Sequence, residues 1–90
     1  MNKGRRKVIA DISNQLAEVQ SQIEEIMESV DSIKSEEEDY KDNIPENMQA
    51  GERYENAEAA CNSLEEAYDK LEEIKDGIDE VMENLGEATN

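Results

Sequence analysis

A chain of 90 residues with 36% hydrophobic and 3% aromatic residues has room for one domain and only a thin core. Its formal net charge of −16, from 25 acidic and 9 basic residues, disfavours direct binding to DNA or anionic membranes and favours basic partners. Because it has no histidine and one cysteine, Cys61, it lacks the usual general base near neutral pH, an intrachain disulfide and a cysteine-rich metal site.

The chain opens with a basic segment. We call it the basic cluster, and it consists of Lys3, Arg5, Arg6 and Lys7. No continuous apolar run follows it, as a signal peptide or membrane span would require, so we expect a cytoplasmic protein. Two interpretations of the cluster stay open. It balances Glu83 and Glu87 at the end of the second helix, or, gathered in an oligomer at helix N-termini, it binds an anionic nucleotide.

A first helix is predicted over about residues 5–43, because apolar residues recur there in alternating steps of three and four. No Gly or Pro interrupts residues 5–44. In heptad notation, with positions a to g, the a positions are Ile9, Leu16, Ile23 and Val30. The d positions are Ile12, Val19, Ile26 and Ile33, followed by Tyr40.

A loop over residues 44–51 and a second helix over about 52–86 are predicted next. Pro45 lacks an amide hydrogen and disfavours helical geometry at the residue before it, while Asn47 and Gly51 suit positive φ. The second helix repeats the heptad, and Gly86 is expected as its C-terminal cap. Its a and d positions are Tyr54, Ala57, Cys61, Leu64, Tyr68, Leu71, Lys75, Ile78, Met82 and Leu85.

The two heptads fit one antiparallel register centred on Asn47, which sets Ile23 against Leu71 and Ile33 against Cys61. The predicted fold class is therefore all-α, an antiparallel two-helix coiled-coil hairpin. The second helix carries a further apolar row at its g positions, to which Met27 of the first helix adds, and we interpret these residues as the contact for a second copy, forming a dimeric four-helix bundle. Shielding of that row by Lys and Glu side chains is the alternative. The g row is Ala60, Ala67, Ile74 and Val81.

Catalysis is not expected. Acidic pairs such as Glu65 with Glu66 occupy outer heptad positions, where exposed carboxylates are poor acids at neutral pH. No Gly-rich phosphate loop, nucleophile elbow or calcium loop is present. We therefore expect no catalytic residue, no cofactor and no metal. Cys61, at a core position, is predicted to be a packing residue rather than a reactive thiol.

The densest acidic run lies beside the loop, and we call it the loop patch. It has two interpretations, a solvated helix end or a docking patch for a basic surface. Rows of carboxylates on a rigid rod can imitate duplex phosphates and compete for DNA-binding clefts. The loop patch consists of Glu36, Glu37, Glu38, Asp39, Asp42 and Glu46.

Besides the basic N-terminus, two short segments are distinctive. They are the loop sequence IPENMQ at residues 44–49 and the sequence ERYENAE at residues 52–58. With the heptads, they resemble small acidic helical-hairpin proteins of phages and prophages of Gram-positive bacteria. The resemblance implies a context in which small accessory proteins inhibit host defence. The leading hypothesis is thus a phage-type binding protein that inhibits or sequesters a basic host factor as a nucleic-acid mimic. The alternatives are a nucleotide sponge acting through the basic cluster, and a structural or assembly coiled-coil module.

Overall fold

The computed structural model describes all 90 residues, which form two long α-helices and no strand. Helix α1 covers Lys3–Asp42 and helix α2 covers Glu52–Ala88. The connection between them contains one short 3-10 helix, Glu46–Met48. The chain is all-helical, and each long helix extends two residues beyond the predicted range at the end remote from the loop.

Helix α1 starts and stops for identifiable local reasons. The side chain of Asn2 accepts a hydrogen bond of 2.8 Å from the amide nitrogen of Arg5, so that one of the unpaired amides of the first turn is satisfied. At the other end Asn43 is the C-terminal cap, and the Ile44-Pro45 pair that follows cannot continue the helix.

The loop turns the chain without any residue at positive φ, so the expectation for Asn47 and Gly51 is wrong. Instead, Pro45 fixes the entry to the 3-10 helix, and its carbonyl accepts a 2.8 Å hydrogen bond from the amide of Met48. Gly51 serves as the N-terminal cap of α2 in extended geometry. Ile44, only 3% exposed, is the one buried residue of the loop.

Helix α2 ends later than the predicted glycine cap. Gly86 lies within the helix, and Thr89 is the cap residue. The Thr89 hydroxyl donates a 2.7 Å hydrogen bond to the carbonyl of Gly86, which satisfies one of the last free carbonyls. The cap expected from Gly86 is therefore wrong, because a hydroxyl side chain three residues later performs that function.

The helices pack side by side in opposite directions and form a rod of 70 × 16 × 13 Å. Contacts run from the loop, where Arg53 meets Tyr40, to the middle of the rod, where Gln20 meets Lys75. Only five residues are buried: Ile23, Met27, Ile44, Ala57 and Cys61. The structure is thus an extended helical hairpin with a thin core.

The inward face of α2 is the predicted one. All ten of its expected a and d residues, from Tyr54 to Leu85, are buried or half-buried. Lys75, the one charged residue among them, keeps its ammonium group at the surface 3.4 Å from a carboxylate oxygen of Glu24.

The inward face of α1 differs from the predicted one. The a positions are buried or half-buried as expected, but every d position from Ile12 to Tyr40 is exposed. The second inward row of α1 is instead the e row, which is Ser13, Gln20, Met27, Lys34 and Lys41.

Helix α1 is therefore rotated by about 50° about its axis relative to the prediction. Consequently Ile33 is 52% exposed and does not pack on Cys61. On the e row, the buried Met27 packs towards α2 and the Gln20 amide donates hydrogen bonds to it, and these contacts leave the apolar d row uncovered.

Candidate interaction surfaces

One side of the rod carries two neighbouring rows of apolar side chains, exposed except for the half-buried Ala60, and we call it the apolar face. Its large side chains are between 39% and 53% exposed. The apolar face consists of the d row of α1 (Ile12, Val19, Ile26, Ile33, Tyr40) and the g row of α2 (Ala60, Ala67, Ile74, Val81).

One contact near the loop shows that these two rows share a side. The Arg53 Nε donates a 2.6 Å hydrogen bond to the Tyr40 hydroxyl, and its guanidinium lies 5.2 Å from the centre of the Tyr40 ring. Tyr40 is a d residue of α1 and Arg53 is a g residue of α2.

The seven-residue spacing of both rows extends this contact along the rod. Proceeding away from the loop, it places Ile33 level with Ala60, Ile26 with Ala67, Val19 with Ile74, and Ile12 with Val81. The apolar face therefore has five levels, one heptad apart, which span about 42 Å at 1.5 Å per residue.

The opposite side of the rod is acidic, and we call it the acidic face. It combines the b row of α1 with the e row of α2, and helical periodicity places both rows away from the apolar face. It consists of Glu24, Asp31 and Glu38 of α1 and of Glu58, Glu65, Glu72 and Asp79 of α2. All of these residues are exposed except Glu38, which is half-buried.

Interhelical contacts on this side hold the acidic face together. The Gln20 Nε2 donates to the Lys75 carbonyl at 3.0 Å and to an Asp79 carboxylate oxygen at 2.6 Å. The Lys75 ammonium pairs with Glu24 across the same side. A second ion pair, within α1, joins Lys34 to Glu38 at 3.6 Å. These are the two ion pairs of the structure, so most of its carboxylates have no cationic partner within the chain.

The residues of the loop patch do not form one surface. Four consecutive residues, 36–39, point around the circumference of α1, and Glu37 is half-buried on the side of α2. Only Glu38 belongs to the acidic face. Glu36, Asp39, Asp42 and Glu46 are exposed at the loop end of the rod. Their role as a docking patch stays a prediction, now limited to the loop end.

The carboxylates of α2 were not predicted as a site, because their density along the sequence is lower than that of the loop patch. The signal that identifies them is the heptad position rather than the local density. Glu58, Glu65, Glu72 and Asp79 are seven residues apart, and so they share one side of α2.

The basic cluster is exposed at the open end of the rod, and none of its four residues is in an ion pair. Only Arg6 lines the shallow cleft of about 320 Å³ between the two helix ends, together with Ile9, Ala10, Ser13, Gly86 and Thr89. The basic cluster therefore forms no direct ion pair with Glu83 or Glu87, the residues whose charge it was expected to balance. Binding of a nucleotide by the cluster stays a prediction.

Cys61 is buried against α1 at 5% exposure. Burial raises the pKa of the Cys61 thiol above its ordinary value, and the nearby Glu38 and Glu37 add to this effect, whereas Lys41 and Lys34 oppose it. The thiol is thus protonated and covered at neutral pH, in agreement with the predicted packing role.

Neither helix is sufficiently long and apolar to cross a membrane. No group of three or more acidic or thiol side chains is arranged to hold a metal ion. Comparisons of the chain with sequence profiles of protein families, with characterised proteins and with solved structures find no match. The surfaces of the rod are therefore the basis for any functional proposal.

Proposed function

We propose that this protein acts by binding rather than by catalysis. In the proposal it dimerises into a four-helix bundle and presents outward carboxylates to a basic surface of a host protein, which it blocks or sequesters. The phage resemblance suggests that this host factor belongs to a defence system and that binding takes place in the cytoplasm of the infected or lysogenic bacterium.

The observation that supports the proposal is the acidic face. Two parallel columns of carboxylates lie on one side of a rigid rod, with about 10.5 Å between successive residues of a column. Only two of these seven residues, Glu24 and Glu38, are in ion pairs within the chain. A regular array of uncompensated charge on a stiff scaffold fits a basic cleft that normally holds a nucleic acid backbone.

Linear charge density supports the same comparison. A net charge of −16 on a 70 Å rod is one negative charge per about 4 Å, against one per about 1.7 Å of duplex DNA. Two rods side by side double the density, to one charge per about 2 Å of the same length. The dimer therefore approaches the duplex closely enough to compete for a DNA-binding cleft.

The test is a pull-down from host lysate with a matched pair of variants. The test variant, Glu58→Gln with Glu65→Gln and Glu72→Gln, removes three charges from the acidic face. The control variant removes three charges from the adjacent f row of the same helix, through Glu66→Gln, Glu73→Gln and Glu80→Gln.

We expect a basic protein to bind the wild type, to be released by duplex DNA, and to bind at least tenfold more weakly as salt rises from 50 to 200 mM. The acidic-face variant should lose most of the binding and the f-row variant should keep it. Equal losses in both variants would show an unspecific charge effect, and the absence of any salt-sensitive partner would refute the proposal.

A second candidate is a sponge for an anionic nucleotide, because Arg6 lines the cleft at the open end of the rod. A screen of linear and cyclic nucleotides by thermal shift tests it. A bound nucleotide should raise the melting temperature, and that gain should disappear in Arg5→Ala with Arg6→Ala.

A third candidate, an assembly module that binds another helix, is supported by the exposed apolar face. It predicts co-purification with a helical protein instead of a basic one.

A further inference from the structure

We propose that the apolar face is the interface of a symmetric dimer in which the loop of each copy lies at the open end of the other. This inference rests on the homodimer of the proposed function and is independent of the basic partner. It specifies which surface pairs, which residues meet and how the two rods are oriented.

The size of the apolar face favours a partner of the same length. Its seven large side chains are 39% to 53% exposed, which amounts to roughly 600 Å² in total and lies at the upper end of the range of about 300–600 Å² for the largest apolar patch on a typical monomeric protein. The same area is most of the roughly 800 Å² that each partner buries in a standard interface. Since the patch extends along five heptad levels, a second rod covers it more completely than a compact protein does.

The composition of the two sides determines which side is covered. The opposite side carries the seven residues of the acidic face, whose like charges oppose close contact between copies. Only the apolar face is largely without charge, and its single cation, Arg53, lies at the edge beside Tyr40. Two copies therefore associate through the apolar face and leave both acidic faces outward.

Side-chain size along the face fits a two-fold axis perpendicular to the helices. Such an axis through the central level places Ile26 on the partner's Ile26 and Ala67 on the partner's Ala67. Going outward, Val19 meets the partner's Ile33, and Ile74, which is large, meets the partner's Ala60, which is small. On α2 the large Ile74 is thus opposed to a small residue on either side of the central Ala67 pair, as interdigitating layers require.

Charge selects this orientation over the one with both loops at the same end. In the chosen orientation the basic cluster of one copy lies at the same end of the dimer as the partner's acidic loop end, which carries Asp42 and Glu46. The other orientation brings two basic clusters together at one end and two acidic loops together at the other. Because these ends are exposed and have few internal partners, the antiparallel dimer avoids two like-charge contacts and gains two favourable ones.

Disulfide cross-linking of single-cysteine variants tests both the surface and the orientation. All variants carry Cys61→Ala, so that the native thiol is absent. Ile26→Cys lies on the proposed axis and should form a covalent dimer on oxidation. Ile12→Cys alone should not, but it should cross-link when mixed with Tyr40→Cys. Asp31→Cys, on the acidic face, is the matched control and should stay uncross-linked.

The outcomes separate the parts of the proposal. With both loops at one end, the same face would set α1 of one copy on α2 of the other, so cross-linking of Ile12→Cys to Val81→Cys in a mixture of the two variants would overturn the orientation. A dimer by light scattering in which neither Ile26→Cys alone nor the mixture of Ile12→Cys with Val81→Cys cross-links would overturn the surface and leave the homodimer intact. A monomer would overturn the dimer itself, while salt-sensitive binding of a basic protein would still be measurable on that monomer. Ile26→Asp gives an independent test, since the charge should weaken self-association at least tenfold while helicity is kept.

Discussion

At the scale of single residues, Gln20 links the two helices at the centre of the rod. Its side-chain amide donates to the backbone of α2 at Lys75 and to the Asp79 carboxylate. A row of polar residues facing a neighbouring helix is stable only if such groups find partners, because an unsatisfied polar group between helices is costly. Gln20 therefore helps to fix the rotation of α1 that exposes the apolar face.

Replacement of this amide tests that role. We expect Gln20→Ala to lower the free energy of unfolding by about 1 to 2 kcal/mol, because two hydrogen bonds are lost, one of them to a charged group. Gln22→Ala is the matched control, since Gln22 is exposed and makes no hydrogen bond, and its change should stay within about 0.5 kcal/mol. Urea denaturation measures both values, and equal effects would contradict the assigned role.

Cys61 gives a second prediction, on thiol reactivity and pH. A covered thiol with a raised pKa should react with a thiol reagent far more slowly in the folded protein than in urea at neutral pH. Since the folded state holds the proton more tightly, stability is unaffected below the ordinary thiol pKa of about 8.5 and falls as pH rises above it.

Denaturation of the wild type and of Cys61→Ala at several pH values measures this dependence. The wild type should lose more stability than Cys61→Ala between neutral pH and pH 10, because only the wild type carries the thiol. Parallel stability curves for the two proteins would show that Cys61 does not titrate differently on folding.

At the scale of elements, the heptad pattern predicts α2 more completely than α1. Every expected inward residue of α2 faces α1, whereas the d row of α1, including Ile26, faces solvent. Apolar periodicity identifies the a and d rows of α1, but the structure pairs the a row with the largely polar e row, which that periodicity does not predict. From its sequence, the e row of α1, with Lys34 and Lys41, is expected to face solvent. In the structure these two residues are half-buried, and their long side chains cover the groove between the helices.

The loop was predicted in position but not in conformation. Pro45 marks the end of α1 in any conformation, since it cannot continue the helix. The loop adopts a 3-10 turn without positive φ and buries Ile44, and the burial of one loop residue is a tertiary effect that the local sequence does not state. The carboxylates of the acidic face were likewise visible in the sequence, but their grouping required the relative rotation of α1 and α2.

Helix α2 contains a site where its own stability can be raised. Gly77 lies within the helix, and a methyl group added there meets no atom within 4 Å. We expect Gly77→Ala to raise the free energy of unfolding by about 1 kcal/mol, because alanine restricts the unfolded chain and favours helix. Gly86→Ala is the control, equally unhindered but in the last turn, and it should have a smaller effect in thermal denaturation.

At the scale of the whole molecule, self-repulsion dominates the electrostatics. A charge of −16 with only two ion pairs, both exposed, opposes close packing of the helices and of two copies. We therefore expect the melting temperature to rise by several degrees between 10 and 500 mM sodium chloride, as the Debye length shortens. A fall in melting temperature with salt would show that attractive charge contacts prevail.

Dimerisation and charge act together in the proposed function. Pairing through the apolar face leaves both acidic faces outward and doubles the negative charge per unit length of the rod. The proposed mimicry of a duplex therefore depends on the pairing, and a variant such as Ile26→Asp should weaken binding of the basic partner as well as self-association. Unchanged partner binding in that variant would show that a single hairpin suffices.

The central claim is that two hairpins pair side by side through the apolar face. Small-angle X-ray scattering at micromolar concentration tests it most directly, because it reports mass and length in one measurement. We predict twice the chain mass of 10.2 kDa with a maximum dimension close to the 70 Å of one hairpin. A single-chain mass, or a doubled mass with nearly doubled length, would contradict the account.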